Sequence, residues 1–285
     1  MSTGKKIVLL GGSGFIGSAL ARHFKKDKEN KVIGFDHTAL DLTQENSTHA
    51  LLETLNEEII LIFAARANPT ADLLKTALQD VEMVTNFAQC IAAKKIQHLV
   101  YFSSTSVYSD ALENLSITEE TKPDPQTPYG SAKFFSECVL KPIASKKGTP
   151  MTILRPCMIY GSGDNSNTYG PTRFINSISK EKKVFLFGDG LERRNYLFID
   201  DLVQIVDYFI QKEVTGTYNI AGPENHSFKE ILDIFETIPN MKFDVVHLER
   251  KQSKVDLKLN IEKLCQLLPN FAFTPIQEGL AKFIL

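Results

Sequence analysis

The chain has few cysteines and histidines, and neither residue type has the spacing that a metal site or a redox motif requires. Its four cysteines, Cys90, Cys138, Cys157 and Cys265, are far apart and form no CxxC pair. The six histidines show no ligand spacing typical of a metal centre. We therefore expect free thiols in a reducing cytoplasm and no bound metal ion.

A strong charge imbalance and long apolar segments are also missing. The net charge of -2 gives no reason to expect nucleic acid or an anionic membrane as a partner. No apolar run approaches the roughly 20 residues of a membrane span, and the first residues lack the pattern of a signal peptide. With 285 residues, 43% of them hydrophobic and 23% charged, we expect a soluble, cytoplasmic protein of one large or two small domains.

Short apolar strands alternate with helical segments through the first half of the chain. The strands are predicted at 7–10, 32–35, 39–42, 59–64, 98–102 and 151–154. This alternation predicts an α/β fold, a doubly wound parallel sheet of the Rossmann type. Beyond residue 155 the pattern becomes less regular, which indicates a second, smaller α/β part.

Three glycines, Gly11, Gly14 and Gly17, follow the first predicted strand at even intervals. Gly11 allows a sharp turn, Gly14 allows the backbone to approach a pyrophosphate, and Gly17 allows close packing of helix against strand. The helix that follows presents its amino end to the phosphates. The pattern predicts a dinucleotide site, and the alternative is a glycine-rich turn without a ligand.

An acidic residue, Asp36, ends the second predicted strand. Its carboxylate is placed to accept hydrogen bonds from ribose hydroxyls and repels a 2′-phosphate, which favours NAD over NADP. His37 and Arg22 keep NADP open as the alternative cofactor. We expect residues 1–155, with returns of the chain near 195–222, to form the NAD(P)-binding domain, and residues 156–285 to form mainly the substrate-binding cap.

Tyr129 and Lys133 are four residues apart in a predicted helix and therefore share a face. The ordinary pKa of tyrosine, about 10, is too high for a general base at neutral pH. A lysine ammonium and an oxidised nicotinamide both favour the phenolate. A hydroxyl-rich run at 103–108 follows a predicted strand, where parallel sheets bind ligands. The combination indicates a dehydrogenase-type site, and the alternative for the pair is a solvated helix face.

The motifs, in this order, resemble the extended short-chain dehydrogenase/reductase family, in particular its NAD-dependent epimerase/dehydratase group, which acts on nucleotide sugars. The resemblance covers nearly the whole chain and is highly specific for the family. The matching motifs are GxxGxxG at 11–17, FAA at 63–65, SSxxVY at 103–108, PYGxxK at 128–133, LRP at 154–156, YG at 160–161 and GDGxExR at 188–194.

The resemblance implies a role for each matching residue. Tyr129 is the implied general acid/base, Lys133 is its electrostatic partner, and Ser104 binds the reacting sugar oxygen. The implied cofactor-binding residues are Gly11, Gly14, Phe15, Ile16, Gly17, Asp36, Asp41, Leu42, Ala64, Ala65, Tyr129, Lys133 and Pro156. The implied substrate-binding residues are Ser104, Thr105, Ser106, Met158 and Arg194. Arg194 matches the arginine that binds the diphosphate of the sugar nucleotide, and the planar fork of an arginine suits that group. The alternative for Ser104 is a strand-end cap, and the alternative for Arg194 is a surface charge.

Several positions depart from the family pattern. Met158 stands where the family often has asparagine, which replaces a substrate-facing amide by a thioether. Asp80 also stands where many relatives carry asparagine. The 4,6-dehydratases of the family have an Asp-Glu pair where this chain has Thr105 and Ser106, which argues against dehydratase activity.

The resemblance implies an NAD-dependent nucleotide-sugar epimerase, in which a hydride leaves a sugar carbon and returns while Tyr129 moves the proton. The alternative is an NAD(P)H-dependent reductase of a nucleotide-linked 4-keto-6-deoxy sugar, which uses the same residues. A non-catalytic NAD(P)-binding sensor is disfavoured, because Tyr129, Lys133 and Ser104 are all present. By resemblance we also expect a homodimer, formed through the helices predicted at 73–94 and 128–140.

Overall fold

The structure, a computed structural model, describes residues 4–68, 71–164, 170–250 and 253–284. The strands are β1 (Lys6–Leu10), β2 (Lys31–Phe35), β3 (Ile59–Phe63), β4 (His98–Phe102), β5 (Asn114–Ile117), β6 (Met151–Pro156), β7 (Met158–Tyr160), β8 (Lys183–Phe187), β9 (Arg193–Phe198), β10 (Gly216–Ile220), β11 (Asn225–Ser227), β12 (Asp244–Leu248) and β13 (Leu257–Leu259). The α-helices are α1 (Phe15–Phe24), α2 (His49–Thr54), α3 (Leu73–Ala93), α4 (Pro128–Lys147), α5 (Gly170–Glu181), α6 (Ile199–Gln211), α7 (Phe228–Glu236), α8 (Glu262–Leu267) and α9 (Ile276–Ile284).

The main sheet has six strands in the order β10-β6-β4-β3-β1-β2. The pairings of β1 with β2 and β3, of β3 with β4, and of β4 with β6 are all parallel. Every residue of β3 and β4 is buried, as expected for strands covered on both faces. The predicted doubly wound parallel sheet is confirmed.

The strand predicted at 39–42 is wrong, because this segment forms turns. Asp36 Oδ1 accepts hydrogen bonds from the backbone N–H groups of Thr38 and Ala39, and Asp41 Oδ1 accepts one from the N–H of Thr43. Side chains that bond the nearby backbone in this way compete with a strand ladder. Leu40 and Leu42 are nevertheless buried, so their apolar character reflects core contact and not strand pairing.

The chain forms two compact units. The first comprises Met1–Ser109, Lys122–Pro156 and Val203–Tyr218. The second comprises Asp110–Thr121, Cys157–Leu202 and Asn219–Leu285. The described part of the second unit contains small sheets in the orders β11-β9-β7, β12-β8 and β13-β5.

Aromatic rings fill the core of the first unit beneath the carboxyl ends of its strands. Phe63, the last residue of β3, makes edge contacts with Phe87 of α3 and Tyr101 of β4, with centroid separations of 4.7 and 5.6 Å. The α3 and α4 helices pack against each other. This packing holds the first turn of α4 at the end of the sheet where β4 ends.

Candidate active site

A cavity of about 410 Å³ opens at the carboxyl ends of β1, β2 and β3. Residues that directly follow these strands line it: Gly11 and Gly14 after β1, Asp36 after β2, and Ala64 and Ala65 after β3. Because β1 lies between β2 and β3 in the sheet, the connections diverge at this point and leave a crevice. Doubly wound sheets bind their ligands in such a crevice.

The glycines of this turn are required by close backbone approaches. Gly11 has φ +84°, and a Cβ there would lie 2.7 Å from the Cα and the backbone N of Ala65. A Cβ on Gly17 would lie 2.0 Å from the carbonyl oxygen of Gly11. The turn therefore packs closely against the residues that follow β3 and against the start of α1. Gly11 and Gly14 of this turn line the cavity. This arrangement fits the pyrophosphate of a dinucleotide at a helix amino end.

Asp36 presents a fixed negative charge at the rim of the cavity. Its Oδ1 accepts hydrogen bonds from the Thr38 hydroxyl at 2.6 Å and from the N–H groups of Thr38 and Ala39 at 3.0 Å each. These bonds, the Thr38 hydroxyl first, lower the pKa of Asp36. The carboxylate suits the ribose hydroxyls of NAD and opposes a 2′-phosphate.

Asp41 and Leu42 line the same cavity. The Leu42 carbonyl accepts a hydrogen bond of 2.8 Å from the Asn86 side chain, which anchors the segment to α3. Of the other residues predicted to bind the cofactor, Phe15, Ile16 and Gly17 form the first turn of α1 and Pro156 ends β6. These four do not contribute to the described lining of the cavity.

The start of α4 brings Tyr129 to the hydroxyl-rich segment after β4. Thr127 caps the helix by accepting a hydrogen bond from the N–H of Gly130 at 3.1 Å, and Pro128 occupies the first turn. A Cβ on Gly130 would lie 2.1 Å from the carbonyl oxygen of Ser106. Glycine is therefore needed here so that the two backbones can touch.

Ser104 lies at the end of β4 and caps a short 3-10 helix, Thr105–Val107. Its Oγ accepts a hydrogen bond from the N–H of Ser106 at 3.1 Å, and its hydroxyl is 3.2 Å from Ser106 Oγ. The Ser104 hydroxyl also lowers the pKa of the Tyr129 phenol. Ser104 therefore caps the 3-10 helix and also influences Tyr129.

Two cations lie near the ring of Tyr129. The Arg66 guanidinium carbon is 4.7 Å from the ring centroid, and Lys133 Nζ is 5.9 Å from it. Burial has the largest effect and raises the pKa of Tyr129. The Arg66 guanidinium and the Ser104 hydroxyl lower this pKa, and the Asp80 carboxylate raises it. Because burial dominates, the pKa of Tyr129 lies above its ordinary value.

Lys133 is buried, and its ammonium donates a hydrogen bond of 2.8 Å to the carbonyl oxygen of Phe102. It also lies 5.3 Å from the ring centroid of Tyr101. Lys133 thus connects α4 to the end of β4, directly before the segment that carries Ser104.

Met158 and Arg194 belong to the second unit and lie in the sheet β11-β9-β7. Met158 pairs with Tyr196, and Arg194 precedes Tyr196 by two positions, so the three side chains leave the same face. Arg194 is half-buried, and its Nη1 donates to the carbonyl oxygens of Arg193 and Val255 at 2.8 and 2.6 Å. Two backbone carbonyls thus hold the guanidinium of this half-buried side chain.

The sequence did not identify Arg66 as a site residue. It follows the FAA motif directly and lines the cavity beside Ala64 and Ala65. The available signal was its place at the carboxyl end of a buried strand, where ligands bind. Its contact with Tyr129 could not be read from spacing, because the two residues lie on separate elements.

Neither a membrane-crossing helix nor a metal-binding cluster is present in the part of the chain that the structure describes. No helix in this part of the chain is both long and apolar enough to cross a membrane. No cluster of three or more histidine, cysteine, aspartate or glutamate side chains there is arranged to hold a metal ion.

Known proteins resemble this chain in both sequence and structure. Residues 7–221 match the NAD dependent epimerase/dehydratase family. A Bacillus subtilis protein described as an uncharacterized UDP-glucose epimerase is 26% identical over 98% of this chain and 96% of its own length.

Solved structures share the fold over almost the whole chain. The UDP-glucose 4-epimerase of Thermotoga maritima has a TM-score of 0.86 at 19% identity, covering 98% of this chain and 97% of its own. The UDP-glucuronic acid 4-epimerase of Bacillus cereus, in complex with UDP-glucuronic acid and NAD, has a TM-score of 0.81 at 21% identity, covering 98% of each chain.

Proposed function

Because the chain belongs to the NAD-dependent epimerase/dehydratase family, we propose that it is a nucleotide-sugar epimerase with Tyr129 as its general acid/base. One observation carries the proposal: the ring of Tyr129 lies against Arg66, which also lines the cavity at the ends of β1, β2 and β3. A proton-transfer group is thereby connected to the place where the family's cofactor would bind.

The residues of the chain account for binding and for the movement of the proton. The turn from Gly11 to Gly14 would hold the pyrophosphate, and Asp36 the adenosine ribose. NAD, when bound, supplies the acceptor and the donor for the hydride. Tyr129 would remove the proton of the sugar hydroxyl and later return it, while Ser104 holds the sugar oxygen in place. Lys133 would add positive charge that favours the phenolate.

The second unit would bind the nucleotide sugar, with Arg194 on the diphosphate and Met158 beside the sugar. We infer chemistry at carbon 4 of the sugar. The enzymes of Thermotoga maritima and Bacillus cereus, which share this fold, are both named 4-epimerases, that is, enzymes that act at carbon 4. Thr105 and Ser106, which lack the acidic groups of a dehydratase, support epimerisation over the loss of water.

The test is a proton NMR time course of the purified protein with UDP-, GDP- and dTDP-linked sugars, including 4-keto forms, with absorbance of reduced nicotinamide followed in parallel. A new sugar epimer without net change in cofactor supports the proposal. Stoichiometric consumption of NADH or NADPH with a keto sugar would replace it with the reductase alternative.

A matched variant separates chemistry from binding. Tyr129→Phe removes only the hydroxyl, so turnover should fall by about 10²-fold or more, as expected for the loss of a general acid/base. The affinity for NAD, measured by calorimetry, should stay near that of the parent protein. Substantial remaining turnover would contradict the role of Tyr129.

We also propose that the protein is a cytoplasmic homodimer. The α3 helix exposes Leu73, Leu74 and Leu78, which are 60–66% exposed, and Phe135 of α4 is 39% exposed. Apolar patches of this kind are typical of interaction surfaces, which supports a homodimer. The four cysteines are free thiols, which suits a reducing compartment and supports a cytoplasmic location. Light scattering of the purified protein measures the oligomeric state, and a monomer at micromolar concentration would contradict the dimer.

A further inference from the structure

Arg66 occupies a position between the cavity and Tyr129. It is exposed, it follows β3 directly, and it lines the cavity beside Ala64 and Ala65. Its guanidinium carbon is 4.7 Å from the centroid of the Tyr129 ring, which is within the range of a cation–π contact. No carboxylate of the described residues forms an ion pair with it, so its charge is not neutralised there by a neighbour.

Lys133, the cation expected from the YxxxK motif, is committed to other groups in this structure. Its Nζ donates to the carbonyl oxygen of Phe102 at 2.8 Å and lies closer to the Tyr101 ring, at 5.3 Å, than to the Tyr129 ring, at 5.9 Å. Arg66 is therefore the cation nearer to the Tyr129 ring of these two.

A negative charge acts on Tyr129 from another element. Asp80 of α3 is 9% exposed, and its Oδ1 accepts a hydrogen bond of 2.6 Å from the N–H of Ala67, the residue after Arg66. Its Oδ2 is buried, and no donor of the described residues bonds to it. A carboxylate oxygen that lacks a partner exerts a strong field in a medium of low dielectric constant.

We propose that Arg66 and Asp80 act as an opposed pair of positioning charges that set the protonation of the Tyr129 phenol, with Arg66 as a second positive partner beside Lys133. The proposal rests on the proposed role of Tyr129. It also gives a function to Asp80, which stands where many relatives carry asparagine. The two residues act through Tyr129 and need no contact with the substrate.

The remaining groups around Tyr129 do not replace this pair. The Ser104 hydroxyl lowers the pKa of Tyr129 but carries no charge. Tyr101 couples electrostatically to Tyr129, but burial raises its own pKa, so it is neutral near neutral pH. Glu137, one turn after Lys133 on α4, is paired with Arg155 at 2.6 Å. Among the described residues, the charges argued to act on Tyr129 are thus those of Arg66, Asp80 and Lys133.

The test measures the pKa of Tyr129 directly, without turnover. Protein labelled with isotopically enriched tyrosine at Cζ is titrated by NMR, and Tyr129→Phe assigns the signal among the eight tyrosines. Arg66→Gln should raise the pKa of Tyr129, because a positive charge is lost. Asp80→Asn should lower it, because a negative charge is lost while the amide oxygen can still accept the bond from Ala67.

Shifts of opposite sign support the proposal, since general damage to the site would move both variants in the same direction. Arg66→Lys keeps the charge and should return the pKa toward that of the parent protein. Unchanged values in both variants, or shifts of equal sign, would overturn it. Circular dichroism verifies that each variant is folded. Because no substrate is used, this result is separable from a failure of the proposed epimerase activity.

The pH profile of turnover is the second readout. In Arg66→Gln the acidic limb of the kcat profile, on which the phenolate of the general base is lost by protonation, should move to higher pH. Turnover at neutral pH should then fall about tenfold, the effect of one pH unit on an ionisation. In Asp80→Asn the limb should move to lower pH. A uniform loss of kcat with no displacement of either limb would overturn the proposal.

Discussion

At the scale of single residues, a buried ion pair lies next to the candidate site and holds the segment that precedes Ser104. The side chains of Glu137 and Arg155 are each 6% exposed. Arg155 donates to both oxygens of Glu137, at 3.0 and 2.6 Å, and to the Tyr108 hydroxyl at 2.8 Å. Glu137 also accepts a hydrogen bond from Ser103, the neighbour of Ser104. The pair therefore joins α4 and β6 to the segment that carries Ser104.

We predict that Glu137→Gln lowers the free energy of unfolding by about 3 kcal/mol, because it leaves the buried Arg155 charge without its partner. Urea denaturation measures the loss. The control is Asp233→Asn, which removes the exposed partner of Lys229 and should change stability little, because exposed ion pairs contribute little. Equal effects in the two variants would contradict the assignment.

The residues of the site differ in how far the sequence revealed them. Gly11, Asp36 and Tyr129 were recognisable because their spacing to a strand or a helix partner is local. Arg66 was not, because its contact with Tyr129 joins separate elements. Asp80 was recognisable only as a departure from the family pattern, and its influence on Tyr129 was not. Lys133 was identified by its helical spacing, but its hydrogen bond to a backbone carbonyl was visible only in the structure.

At the scale of elements, α4 determines the geometry of the site. Thr127 caps its start, and Gly148, with φ +68°, ends it in the left-handed conformation. The helix predicted at 128–140 extends to Lys147 and contains Pro142. The longer helix gives Glu137 and Lys133 a rigid support, and its first turn is held against Ser106 through Gly130.

We predict that Gly130→Ala destabilises the protein by about 1–3 kcal/mol, the usual effect of overpacking, and lowers kcat more than the affinity for NAD. The added Cβ must displace the Ser106 carbonyl, from which it would be 2.1 Å distant, and with it the segment of Ser104. Thermal unfolding and steady-state kinetics measure both effects.

A control lies at the other end of the same helix. A Cβ on Gly148 meets no atom within 4 Å, but its φ of +68° is unfavourable for other residues. Gly148→Ala should therefore cost about 1 kcal/mol of stability with kcat unchanged. If Gly130→Ala affects only stability, as in the control, the role of the Ser106 contact is contradicted.

At the scale of the whole molecule, a buried polar chain crosses three neighbouring strands of the sheet. His98 of β4 bonds Thr152 of β6 at 2.7 Å between Nε2 and Oγ1, and the Thr152 hydroxyl donates to the carbonyl of Val214, before β10. Thr152 has one proton, so His98 Nε2 must be the donor. His98 Nδ1 is buried, and no donor or acceptor of the described residues bonds to it.

We predict that the stability of the protein falls as the pH drops below the ordinary histidine pKa of 6.5. Burial lowers the pKa of His98, opposed by Glu213, so the unfolded chain binds a proton at a higher pH than the folded one. The contribution is complete above pH 6.5 and is lost as the pH falls through the lower, folded pKa. Chemical denaturation at a series of pH values measures it.

His98→Gln keeps a donor for Thr152 but cannot titrate in this range, so its stability should vary less with pH. The matched control is His49→Gln, since His49 is exposed at the start of α2 and should leave the pH dependence intact. The same slope in all three proteins would contradict the assignment to His98.

The sequence by itself determined the alternation of strands and helices, the glycine turn after β1 and the shared face of Tyr129 and Lys133, because each follows from spacing between near neighbours in the chain. Only the tertiary structure decided that Leu40 and Leu42 pack into the core, that Arg66 covers the Tyr129 ring and that Glu137 is paired with Arg155. These features depend on contacts between segments that are distant in the sequence, and no local pattern encodes which distant side chains meet.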